Sequence, residues 1–305
     1  MSIVKTDVPT TAKLCDETIQ ALTQRYPSCY SELLTLTAYD RPIRSLNLGS
    51  GKRKVLFTAA HHANEWITTP VLLKFAEDLA GAAEAGETLC GVDAKRLLEQ
   101  VTIYMVPMVD PDGVALVTGE LTPESNEYAA AQAIGENFPE IPFPDGWKAN
   151  LKGVDLNLNY PAQWLRAREI KFMQGFDQPA PRDYVGRSPL DQLESRALVS
   201  YTEYVDPALV LAYHSQGQVI YWQFDDIVVP GAEELGQRLS DASGYALEET
   251  PYNSAFAGYK DWFIQNYRRP GYTVEVGMGE NPLPLDQFDT IYRENLPLLL
   301  TAAQG

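Results

Sequence analysis

Two histidines stand side by side in TAAHHANEWITTP (residues 58–70), and only three occur in the 305-residue chain. His62 and Glu65 are close enough in sequence for a tight turn to bring an imidazole and a carboxylate to one centre. Zinc takes such nitrogen and oxygen ligands in a tetrahedral set at about 2.0–2.2 Å. The third histidine, His214, follows an apolar run in ALVLAYHS. Two His and one Glu make a common catalytic zinc set, which leaves one coordination position for water. His-x-x-Glu also arises by chance among ordinary loop residues; a third histidine just past a buried strand gives the pair its weight. His61 is a separate case. In extended chain, adjacent side chains point to opposite sides, so only one of the two faces the metal. Glu65 lies at the better spacing for His62, which leaves His61 a packing or supporting role.

These residues need elements to hold them. VLFTAA is a continuous apolar strand, suited to a sheet covered on both faces. WITTPVLLKFAEDLAGA after it is a helix, so His62 and Glu65 lie on a strand-to-helix turn. If VLFTAA and ALVLAYHS are parallel neighbours, their ends reach the same edge, where ligand sites of open α/β sheets lie. TTAKLCDETIQALTQRYP has apolar residues at helical spacing and ends at Pro27. SELLTLTAYDRPIRSLNLGSGKRKVLFTAA reads as three short strands separated by the YDRP and GSGK turns. DAKRLLEQ is a helix, and VTIYMVPMV a buried strand closed by a DPDG turn. Residues 118–191 are rich in Pro, Gly and Asn and weakly periodic, which predicts long functional loops. LDQLESRALVSYTEYV, GAEELGQRLSDASG, YKDWFIQNY and LDQFDTIYRENLPLLLTAA are helices, and GQVIYW and GYTVEVG strands. The pattern predicts one three-layer α/β domain whose mixed sheet is antiparallel early and parallel later. Glu275 stands between Val274 and Val276 in GYTVEVG. A carboxylate there is costly unless paired, which marks it as functional or as an in-facing polar residue.

Composition narrows the partners. With 24 basic and 41 acidic residues the net charge is −17, which argues against nucleic acid or an anionic membrane surface. Cys15, Cys29 and Cys90 are odd in number and lack CxxC spacing, so neither a disulfide framework nor a zinc-thiolate site is expected. The N-terminus has no apolar run of signal-peptide length, and no segment is apolar enough to span a membrane. A cytoplasmic location is the expectation.

In chain order, HHANEW, GVDLNLNYP, AYHS and GYTVEVG resemble the zinc carboxypeptidase family, over nearly the whole chain. That family shows His-x-x-Glu before Trp, a Gly-Val-Asp-x-Asn stretch, a His-Ser at a strand end and a Glu on a late strand. WKANLKGVDLNLNYPAQW and GYTVEVGMGENPLPLDQF are similar to the bacterial γ-D-glutamyl-diamino acid endopeptidases, which cut peptidoglycan stem peptides and often carry LysM wall-binding repeats. This chain has no room for such a repeat before His62. The resemblance implies a carboxypeptidase-like α/β/α fold with a central mixed sheet of about eight strands, spanning residues 1–305 as a single catalytic domain without a wall-binding module. It implies His62, Glu65 and His214 as ligands of one zinc ion per chain, and Glu275 as the general base. Asp155 in GVDLN would accept the second N–H of His62 and fix its tautomer. Lys148 in GWKAN would stand where the family has an arginine that polarises the scissile carbonyl. Lysine keeps the charge but loses the planar fork; a solvated surface lysine is the alternative.

Two departures bear on substrate. Asn157-Leu158 stands where ordinary carboxypeptidases have Asn-Arg, and leucine cannot form the bidentate pair that grips a terminal carboxylate. Asn157 can still hydrogen-bond a substrate carboxyl. Lys260 in AGYKDW falls at the base of the family's specificity pocket, where a cation favours an acidic group on the leaving side, such as the second carboxylate of diaminopimelate; a helix-surface lysine is the alternative. Tyr252 in ETPYNSAF lies near a family tyrosine that covers the substrate. The resemblance therefore implies a zinc metallopeptidase that cleaves the γ-D-glutamyl–diamino acid bond of muropeptides. A conventional carboxypeptidase acting on peptides and a non-catalytic peptide-binding protein are the alternatives.

Overall fold

Alternate residues of the central strands pack into two separate cores, one on each side of a mixed sheet. The structure is a computed structural model and describes residues 2–305. Its strands are β1 (Cys29–Tyr30), β2 (Leu33–Leu36), β3 (Pro42–Arg44), β4 (Leu46–Leu48), β5 (Arg53–Thr58), β6 (Thr88–Leu89), β7 (Val92–Asp93), β8 (Val101–Val106), β9 (Leu209–His214), β10 (Val219–Tyr221), β11 (Ala246–Glu248) and β12 (Gly271–Glu275). Eight form one sheet in the order β1-β4-β8-β5-β9-β12-β10-β11, while β2-β3 and β6-β7 are two-stranded ribbons. Strands β8, β5, β9 and β12 run parallel. β4 and β10 flank them antiparallel.

Val55, Phe57, Leu209, Leu211, Tyr213, Tyr272 and Val274 belong to one core, with residues of helices Ala12–Arg25, Thr68–Ala85 and Phe288–Gln304. Leu56, Val210 and Ala212 face the other, with helices Trp164–Met173, Leu193–Val205 and Tyr259–Tyr267. The period of two along each strand produces this division. Each fully buried Val, Leu or Phe is worth about 1.5–3 kcal/mol, so the central strands form the firmest part of the molecule.

Three local expectations change. The middle strand of the early run is split at Ser45: β3 pairs with β2 in a ribbon, and β4 joins the main sheet. DPDG is a helix start rather than a bare turn, because Asp110 caps Pro111–Val117 by accepting from the Gly113 N–H, with Pro at the first position. Within residues 118–191 two helices form, Asn126–Gly135, capped by Ser125, and Trp164–Met173. The second buries only Trp164, Ala167, Ile170 and Lys171 among charged neighbours, too sparse a stripe to show as a periodic pattern. Helix Ala232–Ser243 does end at Gly244, which turns at φ +79°. No helix of the described residues is long and apolar enough to cross a membrane.

Candidate active site

The carboxyl ends of β5, β9 and β12 open into one cavity of about 830 Å³, lined by His62, Glu65, Lys148, Asp155, His214 and Glu275 among others. Past β5 the chain passes through a left-handed Ala60 at φ +47° and into extended His62. A short 3-10 turn, Ala63–Glu65, then brings Glu65 back beneath the imidazole. The turn is tied down on several sides. The Thr68 hydroxyl donates to the Glu65 carbonyl at 2.7 Å, and the Ala63 N–H to the Lys148 carbonyl at 3.1 Å. Gly113 lets helix Pro111–Val117 press against the turn, since a Cβ there would stand 2.7 Å from that of Ala63 and 2.6 Å from the Ala149 carbonyl oxygen.

His62 Nδ1 lies 2.9 Å from Glu65 Oε1, and His214 Nδ1 lies 2.9 Å from Glu65 Oε2. The two Nδ1 atoms are 3.3 Å apart. One ligand atom from each of these three residues falls within a mutual 4.8 Å. His62 Nε2 lies 3.1 Å from Asp155 Oδ1. With that proton donated to Asp155, Nδ1 of the neutral ring presents a lone pair to a carboxylate oxygen that also only accepts. Such a cluster of converging acceptors is what a cation satisfies, so these residues fit zinc.

The protonation balance agrees. Burial opposes charge on Glu65, but His62, Lys148 and His214 hold its carboxyl well below the usual range. Burial also opposes charge on His62, yet Glu65 and Asp155 on either side raise it to about 10, so the cluster favours positive charge at its centre. Burial likewise opposes the charge of Asp155, and His62 outweighs it, depressing the carboxyl.

Glu275 ends β12, in register with His214 on β9. Its carboxylate makes no protein hydrogen bond among the described residues and faces the cavity. Burial, with Glu65 adding repulsion, pushes it up to about 8. Lys148 enters the site, and its Nζ donates to Glu65 Oε1 at 2.8 Å. Asn157 and Leu158 both line the cavity. Asn157 Oδ1 accepts from the Tyr259 N–H at 3.0 Å, and Leu158 packs into the core behind it. Lys260 is buried at the cavity wall rather than solvated, with Nζ 2.7 Å from Asp261 Oδ1 and donating to the Gln223 carbonyl.

Two residues lie elsewhere. His61 is fully buried, 3.3 Å from the Tyr160 hydroxyl through Nε2, and stacks on His214 at 5.5 Å between ring centroids. It lies against the face of the His214 ring, outside the cluster. Tyr252 does not join the cavity. Its side chain is 58 % exposed, and its hydroxyl meets the guanidinium of Arg166 at 2.9 Å. The short 3-10 turn Tyr252–Ser254 aims the ring outward, edge-on to Phe256.

The cavity also contains residues the sequence did not single out: Lys171, Arg182 and Asp183 on one side, Tyr221 and Thr273 on another, and Asn281. Asn281 exchanges hydrogen bonds with Ser215, the residue after His214. Arg182 and Asp183 sit in the aperiodic QPAPRDY stretch, where only the prolines carry a local signal, and that signal says turn.

Known proteins repeat this architecture. Carboxypeptidase A from Helicoverpa armigera superposes with a TM-score of 0.73 at 18% identity, covering 100% of this chain and 74% of that one. Murein-tripeptide amidase MpaA from Escherichia coli O157 superposes at 0.55 with 19% identity, covering 89% and 91%. In sequence, the chain is 41% identical over 282 residues to Gamma-D-glutamyl-L-diamino acid endopeptidase 1 of Lysinibacillus sphaericus, covering 92% of this chain and 69% of that protein. The zinc carboxypeptidase profile matches residues 15–298. With a two-histidine, one-glutamate cluster that fits zinc at the sheet edge, the chain belongs to the zinc carboxypeptidase family and is a zinc metallopeptidase.

Proposed function

We propose that the protein hydrolyses the bond between a γ-linked D-glutamyl residue and a diamino acid in peptidoglycan stem peptides. One observation carries the reading: a metal-binding cluster and an unpaired carboxylate share a cavity in which Leu158 replaces the arginine of ordinary carboxypeptidases. The endopeptidase name of the 41%-identical relative supports that substrate class.

In this reading His62, Glu65 and His214 hold one zinc ion per chain. Zinc, when bound, lowers the pKa of a bound water to about 7 and polarises a carbonyl. Glu275 takes a proton from the attacking water and passes it to the departing amine nitrogen. Its raised proton affinity favours the first transfer. Asp155 fixes the His62 tautomer, and Lys148 places positive charge where the carbonyl oxygen becomes anionic. Asn157 and Lys260 face the leaving diamino acid.

The assay is cleavage of L-Ala-γ-D-Glu-diaminopimelate with added zinc, beside ordinary α-linked peptides. The expected result is release of the diamino acid from the γ-linked substrate and its loss in Glu275→Gln. No cleavage, equal cleavage by Glu275→Gln, or preferential trimming of α-linked peptides overturns the reading.

A further inference from the structure

Four cations line the cavity: Lys148, Lys171, Arg182 and Lys260. Three have ammonium groups committed to protein acceptors. Lys148 is held by Glu65, Lys171 by Asp183, and Lys260 by Asp261 and the Gln223 carbonyl. Arg182 differs. Its Nε donates to Asp183 Oδ2 at 2.8 Å, and among the described residues neither Nη donates to any protein acceptor. Its side chain is 43 % exposed, so the open end of the guanidinium is available at the cavity wall.

The chain on either side of the arginine is also tied to residues of the site. The Pro181 carbonyl accepts from the N–H groups of both Lys148 and Ala149, at 2.8 and 2.9 Å. The Asp183 N–H donates to Asp155 Oδ2 at 3.2 Å, on the carboxylate that orients His62. Arg182 is therefore fastened between the chain that carries Lys148 and the residue that positions a metal ligand. Burial opposes its charge, but Asp183, then Asp155 and Glu65, outweigh that and keep it cationic. Asp183 is already paired with Lys171, so its charge does not require a second partner.

We propose that Arg182 is the clamp for a free carboxylate of the substrate, in the role that Leu158 cannot fill. Two parallel N–H donors on a fixed planar fork match a carboxylate better than any lysine in this cavity. The inference rests on the hydrolase reading above. A γ-D-glutamyl-diaminopimelate peptide offers that chemistry in three places: the glutamyl α-carboxylate, which an α-linked peptide lacks there, and either carboxylate of the diamino acid.

The test pairs the enzyme with L-Ala-γ-D-Glu-diaminopimelate and three analogues, each with one of these carboxylates converted to its amide. In the wild type, one amide lowers kcat/KM by roughly 10–100-fold, the range of a charged hydrogen-bonded pair. In Arg182→Gln that penalty falls below about threefold while the penalties of the other two amides stay unchanged, as in a coupling cycle. The position that loses its penalty identifies the carboxylate. Zinc content and thermal midpoint check the fold; if Arg182→Gln is unstable, Arg182→Lys serves, with the penalty reduced but not abolished because a point charge remains. The proposal is overturned if the wild type shows no amide penalty, or if all penalties survive in the variant. Failure of the wild type to cleave any of the four peptides overturns the hydrolase reading and this inference with it.

Discussion

The floor and the walls of the cavity are built in different ways. The floor comes from neighbouring parallel strands, and His214 and Glu275 are paired in register across β9 and β12. Its positions are set by sheet hydrogen bonds and by two cores packed beneath them. The walls come from residues 140–183 and 250–261, loops and short helices held by individual polar contacts such as those of Asp183 with Asp155 and Lys260 with Gln223. Strands suit groups that must be placed to a fraction of an ångström, and loops suit groups that discriminate among substrates.

Mutations test that contrast, and the largest effects belong to the floor. His62→Ala is expected to lose bound zinc and to bring hydrolysis to the detection limit, by metal analysis and peptide assay. His61→Ala, one residue away, is expected to keep one zinc per chain and to cost about 2–4 kcal/mol of stability from the cavity left in a buried stack. Equal zinc loss in both would refute their division of labour. Glu275→Gln is expected to lower kcat by roughly 10²–10⁴-fold, the usual contribution of a general base, with zinc stoichiometry unchanged. Asp155→Ala, at the junction of floor and wall, is expected to weaken zinc binding by about 10–100-fold in a chelator competition. The smallest effect belongs to the outer wall. Tyr252→Phe removes only the contact with Arg166, and kcat/KM is expected to stay within about twofold, as for surface changes worth no more than about 0.5 kcal/mol. A tenfold loss there would bring the loop into the substrate site after all.

The floor was the more legible part in sequence. His62, Glu65, His214 and Glu275 each adjoin or sit within apolar strand sequence, and the alternation of Val55, Leu56 and Phe57 is enough to forecast a sheet buried on both faces. That Lys148 and Asp155 line the cavity could be expected only through resemblance to a family, because nothing local distinguishes them from turn residues. Tyr252 points away from the cavity, a direction that sequence order cannot show, since it fixes neighbours but not the way a short 3-10 turn aims a ring. The helices within residues 118–191 have no clear periodic signal, because Asn126–Gly135 buries only Ala131 and Gly135 and the stripe of Trp164–Met173 is interrupted by charge.

Sequence alone determined the central strands, most of the helices and the pair of residues poised at the end of β5, because periodicity, caps and glycine stops act within a few residues of chain. It also left His61 the supporting position, since consecutive residues of an extended segment face opposite ways. Tertiary structure decided what could not be local: that His62, Glu65 and His214 close to within hydrogen-bond distance, that Lys260 is buried against Asp261, and that Arg182 alone among the cavity's cations keeps its outer donors open. These depend on which distant groups satisfy one another once the chain has folded, and pairing across a hundred residues has no signature in the spacing of one sequence.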